Sequence, residues 1–266
     1  MKRKTFVKLI GTGVLGVGLH PWAYAFQKTK GTNHMVCKNA WDALCGNIAA
    51  VYKTDAFHYI EPVVGKPHVL IYGDSISIMY SSTVRECLKS KANVIRLFKN
   101  GGASQDFIAH MDKMQEAMFQ PTLEAGWDFK WDIIHFNIGL HDLKYLKGKN
   151  LNKSGKQVAS ISDYKTNLHN ICKYLKTTWP DAKLIFATTT PVPEHAKGRF
   201  VGDSIKFNAA ALDVLSKYPD IAINDLYAFT KPNVEHWAQG PGDVHYNALG
   251  SSEQGKKVAQ AISQHL

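Results

Sequence analysis

A serine hydroxyl is a useful nucleophile only when a base takes its proton, a third group orients that base, and nearby donors hold the negative oxygen that forms. The chain carries a residue of the right type for each part. Gly73-Asp74-Ser75-Ile76-Ser77 follows an apolar run and precedes a helical pattern. Ser75 therefore stands at a strand-to-helix turn, where its side chain can face solvent and the helix amides point at the same spot. Gly242-Asp243-Val244-His245-Tyr246-Asn247 puts His245 in a loop just before the last helical segment, with Asp243 two residues earlier. A histidine so placed can act as general base, and the carboxylate can hold its tautomer. Gly-Asp-Ser alone is equally a helix cap, so the assignment depends on what the rest of the chain brings to the same place.

The elements that must do this alternate. His68 to Tyr72, Asn93 to Phe98, Asp132 to Ile138, Lys183 to Thr190 and Ile221 to Asn224 read as short apolar strands. Between and after them, Asp106 to Phe119, Asp163 to Thr178, Ser204 to Tyr218 and Ser251 to Gln264 read as helices. This order predicts an α/β fold of three layers, α/β/α, around a mainly parallel five-stranded sheet. In such sheets ligands bind at the carboxyl ends of the strands. Ser75 follows the first strand, Gly102 the second, and His141 and Asp142 the third, so separate segments converge on one rim. Ahead of this unit, residues 26–34 read as a flexible lead-in and residues 38–53 as helical, with Ala40, Trp41, Leu44, Ile48 and Val51 at helical spacing. The catalytic unit is expected over residues 67–266.

Four blocks in this order resemble those of the SGNH hydrolases, also called the GDSL esterases and lipases. Gly73-Asp74-Ser75 matches the first, Asn100-Gly101-Gly102-Ala103-Ser104 the second, Gly139-Leu140-His141-Asp142 the third and Asp243-Val244-His245 the last. The resemblance covers about residues 67–266. It implies a flavodoxin-like fold, Ser75 as nucleophile, His245 as general base, and an oxyanion hole formed by the amides of Ser75 and Gly102. Two departures stand out. The third block normally supplies an Asn side chain to the oxyanion, and here that position is His141. A neutral imidazole has one N–H and can do the same, whereas a protonated one would make activity pH-sensitive. Losing such a donor costs roughly 10²–10³ in rate. Asn137 is near in sequence but lies inside a strand. The acid normally sits three residues before the His, where this chain has Gly242; Asp243, at minus two, resembles the spacing of some polysaccharide acetyl-transferring relatives. A Ser75–His245 dyad with a backbone carbonyl on the imidazole is the alternative. Asp74 and Asp142 read as loop-shaping hydrogen-bonders.

Composition bounds the rest. The 266 residues are 45% hydrophobic and 20% charged, ordinary for a globular chain with a full core. Lys2, Arg3, Lys4 and Lys8 precede an apolar, glycine-rich run and Ala23-Tyr24-Ala25, which reads as a signal peptide over 1–25 with its cleavage site. The expected location is periplasmic or extracellular, with no stable membrane insertion after cleavage. Four of the +10 charges lie in that leader, leaving +6 on the remainder, enough to attract acidic polysaccharides. No basic helix, zinc-finger spacing or aromatic RNA-binding signature points to nucleic acid. No cofactor or metal is called for; His135 and Asp142 make no metal set, and none of the four cysteines has ligand spacing. Cys37 and Cys45 can pair only if a turn separates them, because eight positions along one helix put them about 12 Å apart.

The expected function is hydrolysis of an ester on a small molecule or polysaccharide, with removal of O-acetyl groups from carbohydrate as the leading case. Trp127, Trp131, Trp237 and Tyr246 are aromatic candidates for sugar stacking, and the segments 143–162 and 191–203 for substrate choice. Lipid acyl esters, thioesters and carbohydrate sulfate esters are the alternatives within hydrolysis. The altered third and fourth blocks also admit a non-catalytic carbohydrate-binding protein on a degenerate hydrolase scaffold.

Overall fold

Near-continuous apolar runs such as His68-Val-Leu-Ile-Tyr72 have no polar face to offer water, so they fold where both faces are covered. The computed structural model describes residues 31–266; the expected leader and residues 26–30 of the lead-in lie outside it. In chain order the elements are α1 (His34–Cys45), α2 (Ile48–Tyr52), β1 (His68–Tyr72), α3 (Ser75–Leu88), β2 (Asn93–Arg96), α4 (Phe107–Met118) and β3 (Ile133–Asn137). Three short strands follow, β4 (Tyr145–Lys147), β5 (Asn150–Leu151) and β6 (Lys156–Gln157). Then come α5 (Ile161–Thr178), β7 (Lys183–Ala187), α6 (Asp203–Leu215), β8 (Ala222–Asn224), α7 (Leu226–Thr230), α8 (Val234–Trp237) and α9 (Ala248–Ser263).

The main sheet has the order β2-β1-β3-β7-β8, with every pairing parallel. This is the flavodoxin-like order, and the chain reverses its direction of travel between β1 and β3. The crevice above that switch point is where Ser75 and His141 leave the sheet. α3 packs against α9, and α4, α5 and α6 form a second row that α1 joins at α4. The main apolar core runs from Cys37 and Trp41 on α1 to Val258 and Ile262 on α9, with a small second cluster of Ala56, Phe57 and Ile78.

The α3–α9 contact sets the distance between nucleophile and base. A Cβ at Gly255 would lie 2.6 Å from Thr83 Cβ and 2.9 Å from the Tyr80 carbonyl. Only glycine lets the two backbones approach so closely. Because Ser75 opens α3 and His245 lies just ahead of α9, this crossing brings both to the same rim.

Several boundaries and elements differ from the sequence reading. The second and fourth strands end at Arg96 and Ala187, short of Phe98 and Thr190, because the chain beyond turns toward the site. The helical stretch 38–53 is two helices broken at Gly46, whose φ is 53°. Cys37 and Cys45 both lie on α1, and all four cysteines are free thiols. The lead-in is tied down by residue 33: the Asn33 amide donates to the Ala125 carbonyl at 2.8 Å and its side chain caps α1. Residues 143–162, read as loop, contain the antiparallel sheet β5-β4-β6.

Candidate active site

Asp74 shapes the turn after β1. Its Oδ1 accepts from the Ile76 amide at 2.9 Å and caps α3, while Oδ2 is buried without a hydrogen-bond partner. Burial raises the pKa of this carboxyl. Ser75 is thereby the first helical residue, a position whose amide has no intrahelical acceptor. Its Oγ lies 2.8 Å from His245 Nε2. On the other side of the ring, His245 Nδ1 lies 2.7 Å from Asp243 Oδ1. A carboxylate there requires the proton on Nδ1 and leaves Nε2 free to accept from the serine.

The minus-two spacing has a local explanation. Asp243 Oδ1 also accepts the His245 backbone amide at 2.9 Å, so the carboxylate closes an Asx turn on residue i+2 and meets the imidazole of that same residue. Burial pushes the Asp243 carboxyl up, but the His245 amide and ring, with the Val244 amide, together bring it below its ordinary value. Gly242, where the acid usually stands, has φ 70°, and a Cβ there would lie 2.9 Å from the His195 carbonyl. The alternative of a backbone carbonyl on His245 Nδ1 is not what the chain adopts.

Gly102 lies beside this group, where the Gly101 amide donates to the Gly73 carbonyl at 2.9 Å. The Gly102 amide itself donates to Asn100 Oδ1 at 3.1 Å, so it is already engaged within its own turn. Asp142 ties the second block to the third: it accepts from the Ser104 amide at 2.9 Å and from Ser104 Oγ at 2.5 Å. Burial raises its carboxyl to about 6. Asn137 is turned into the sheet, donating to the carbonyls of Ala187 and Thr188.

His141 is the informative departure. Its Nδ1 lies 3.1 Å from Lys144 Nζ. An ammonium only donates, so Nδ1 must accept and the ring proton sits on Nε2. Burial, then the positive charges of Lys144 and Arg199 and the neighbouring His245, push His141 down to about 3. The ring is therefore neutral near pH 7, with one N–H on the nitrogen opposite Lys144.

Three functional residues escaped the sequence reading. Arg96 is fully buried, with Nη1 donating to the Leu97 and Lys99 carbonyls and Nη2 to the Gly73 carbonyl. It clamps the loop after β2 onto the loop after β1. A charged residue inside the apolar run Asn93 to Phe98 was the available signal. Lys144 is one helical step from His141 in sequence. Arg199 donates from Nε to the Leu140 carbonyl at 3.2 Å, and no local pattern marks it.

The proposed stacking residues are not available. Trp127, Trp131, Trp237 and Tyr246 are all buried. Trp127 and Trp131 lie in an aromatic cluster with Phe119 and Phe129, well packed at the start of β3. A cavity of about 310 Å³ does open beside His245, lined by Leu151, His195, Lys197, Arg199 and residues 241–245. A larger one of about 530 Å³ lies at the opposite edge of the sheet, around Glu61, His68 and Phe129, away from any candidate nucleophile. Among the described residues no group of three His, Cys, Asp or Glu side chains gathers as a metal site would, and no helix is long and apolar enough to cross a membrane.

No family model and no curated protein matches the sequence. Solved structures do. An acetyl xylan esterase, AlAXEase, aligns with a TM-score of 0.55 at 15% identity over 73% of this chain and 99% of its own. Axe2, an acetylxylan esterase from Geobacillus stearothermophilus, aligns at 0.54 and 16% identity over 76% and 95%. A protein from Slackia heliotrinireducens, provisionally described as an SGNH hydrolase, aligns at 0.52 and 13% identity over 74% and 100%. The chain has the SGNH hydrolase fold. At such identities the likeness is one of architecture, and the chemistry must be argued from the residues. The SGNH fold accounts for why Ser75, the Gly101–Gly102 turn, His141 and His245 leave the sheet at one edge.

Proposed function

We propose that the protein is a serine ester hydrolase that removes acyl groups, foremost acetyl, from carbohydrate. The observation that carries this reading is the Ser75–His245–Asp243 relay, with contacts of 2.8 and 2.7 Å at the carboxyl edge of the sheet. Ser75 Oγ attacks the ester carbonyl while its proton passes to His245 Nε2. Asp243 holds the Nδ1 proton and stabilises the imidazolium. The oxyanion is held by the Ser75 amide and by His141 Nε2–H, with the Gly102 amide joining if it is released from Asn100. Collapse expels the alcohol, which takes the proton from His245. Water then attacks the acyl-serine by the same relay in reverse, giving the free acid and restoring Ser75.

Two of the structural neighbours are acetyl xylan esterases, which supports an acetylated carbohydrate as substrate. The basic leader and Ala23-Tyr24-Ala25 support export. The test is acetate release from 4-nitrophenyl acetate and acetylated xylan, together with fluorophosphonate labelling. Ser75→Ala should abolish labelling and lower turnover roughly 10³-fold or more. Equal turnover in wild type and Ser75→Ala would sink the reading, and absence of both labelling and turnover would favour a carbohydrate-binding protein.

A further inference from the structure

The cavity beside His245 is basic. Its lining includes His195, Lys197 and Arg199, and its one acid, Asp243, is committed to His245. Arg199 is the key residue because it is only 7% exposed. A guanidinium that deeply buried is normally paired with a carboxylate, since an unpaired buried charge is costly. Here Nε donates to the Leu140 carbonyl, and among the described residues neither Nη makes a hydrogen bond. The carboxylates that act on it, Asp74 and Asp243, do so only through space, and Asp243 and one oxygen of Asp74 are engaged elsewhere. The fork of donors is thus held in place, and it lines the open cavity.

The two segments that build this wall are held to each other. The Tyr145 amide donates to the Gly198 carbonyl at 2.7 Å, and Gly198 packs against Leu151. The small sheet β4–β6 therefore fixes the loop that carries Lys197 and Arg199. Lys197 is exposed, also lines the cavity and adds a second positive charge.

We infer that this cavity is a subsite for an anionic oxygen group on the sugar that bears the ester, bound by Arg199 and Lys197 next to the Ser75–His245 pair. A planar, always charged guanidinium presents parallel N–H donors that match a carboxylate or sulfate. The substrate class is accordingly an esterified acidic glycan rather than a neutral one. This rests on the reading of the site as an ester hydrolase and narrows its substrate.

The experiment separates the two. Calorimetric binding to the Ser75→Ala protein is measured with oligogalacturonate, a sulfated galactan oligosaccharide and a neutral xylo-oligosaccharide, independent of turnover. One of the two anionic sugars should bind about tenfold tighter than the neutral one, and the stronger of them identifies carboxylate or sulfate as the group recognised. Arg199→Gln introduced into that protein should reduce the preference to threefold or less. Lys197→Gln, at an exposed position that leaves the fold untouched, should reduce it in part and flatten its salt dependence. Equal binding of anionic and neutral sugars, or a preference unchanged in both variants, overturns the inference. Acetate release by wild type on 4-nitrophenyl acetate is read in parallel. If it is present while the preference is absent, the subsite fails and the esterase stands; if it is absent while the preference persists, the reverse holds.

Discussion

At the scale of single residues, the exchange of an amide for an imidazole in the third block is resolved by a neighbour. A histidine offers one N–H on either of two nitrogens, so it replaces an Asn donor only if something fixes the tautomer. Lys144, 3.1 Å from Nδ1, does this by donating. Burial first, and then the same cation and Arg199, keep the ring neutral by pushing it to about 3. Two outcomes follow. In Lys144→Met the tautomer is no longer enforced, so kcat on 4-nitrophenyl acetate should fall about tenfold, part of the cost of an oxyanion donor. Nitrogen NMR of His141 should then show an Nδ1–H population that wild type lacks; a single Nε2–H tautomer in both would refute the role given to Lys144. In His141→Asn, the acid limb of kcat/KM between pH 4 and 7 should keep its midpoint, because a group that titrates near 3 contributes nothing in that window. A shifted limb would mean that His141 is the titrating donor after all.

At the scale of elements, what could be read from the chain depended on how local each signal is. The strands of the main sheet announce themselves because burial on both faces demands apolar runs. The turns that carry Ser75 and His245 are legible because Asp and Gly punctuate them. The sheet β4–β6 is different. Its strands are two or three residues long, and Lys147, Asn150 and Lys156 face solvent, so neither periodicity nor hydrophobicity marks it. Arg199 is meaningful only through its burial against Leu140, a contact across 59 positions. The aromatic residues misled because their type says nothing of exposure. The α3–α9 crossing is likewise invisible until Gly255 is seen against Thr83 and Tyr80. Gly255→Val should force α9 away from α3, destabilising the fold by about 1–3 kcal/mol. Because the displaced helix follows His245, kcat on 4-nitrophenyl acetate should drop while KM changes little, measured well below the melting temperature. A folded variant with wild-type kcat would show that the crossing does not set the relay.

At the scale of the molecule, buried ionisable groups sit in opposition. His135 on β3 has no exposed surface, and burial pushes it down to about 4. Its Nε2 meets the Asn224 side-chain amide at 3.2 Å. Asp142, by contrast, is raised to about 6 by burial. Below pH 6.5 the unfolded chain protonates its histidine while folded His135 stays neutral, so the unfolded state binds more protons and stability falls as pH drops toward 4. For Asp142 the sign reverses: the folded carboxyl takes its proton first, and stability is lost as pH rises from the ordinary carboxylate value through 6. The two partly cancel, so the acid response of the whole protein does not report either group. A difference between variants does. Between pH 7 and 4.5 the His135 contribution alone is worth about 2–3 kcal/mol, at roughly 1.4 kcal/mol for each unit of pH below 6.5. His135→Gln, which fills a similar volume without titrating, should cost stability at pH 7 through the altered contact with Asn224. It should lose about 2–3 kcal/mol less than wild type on going to pH 4.5, as read by urea unfolding at both pH values. Parallel losses in the two proteins would mean that His135 is protonated in the fold, and that the acid response belongs to the carboxyl groups.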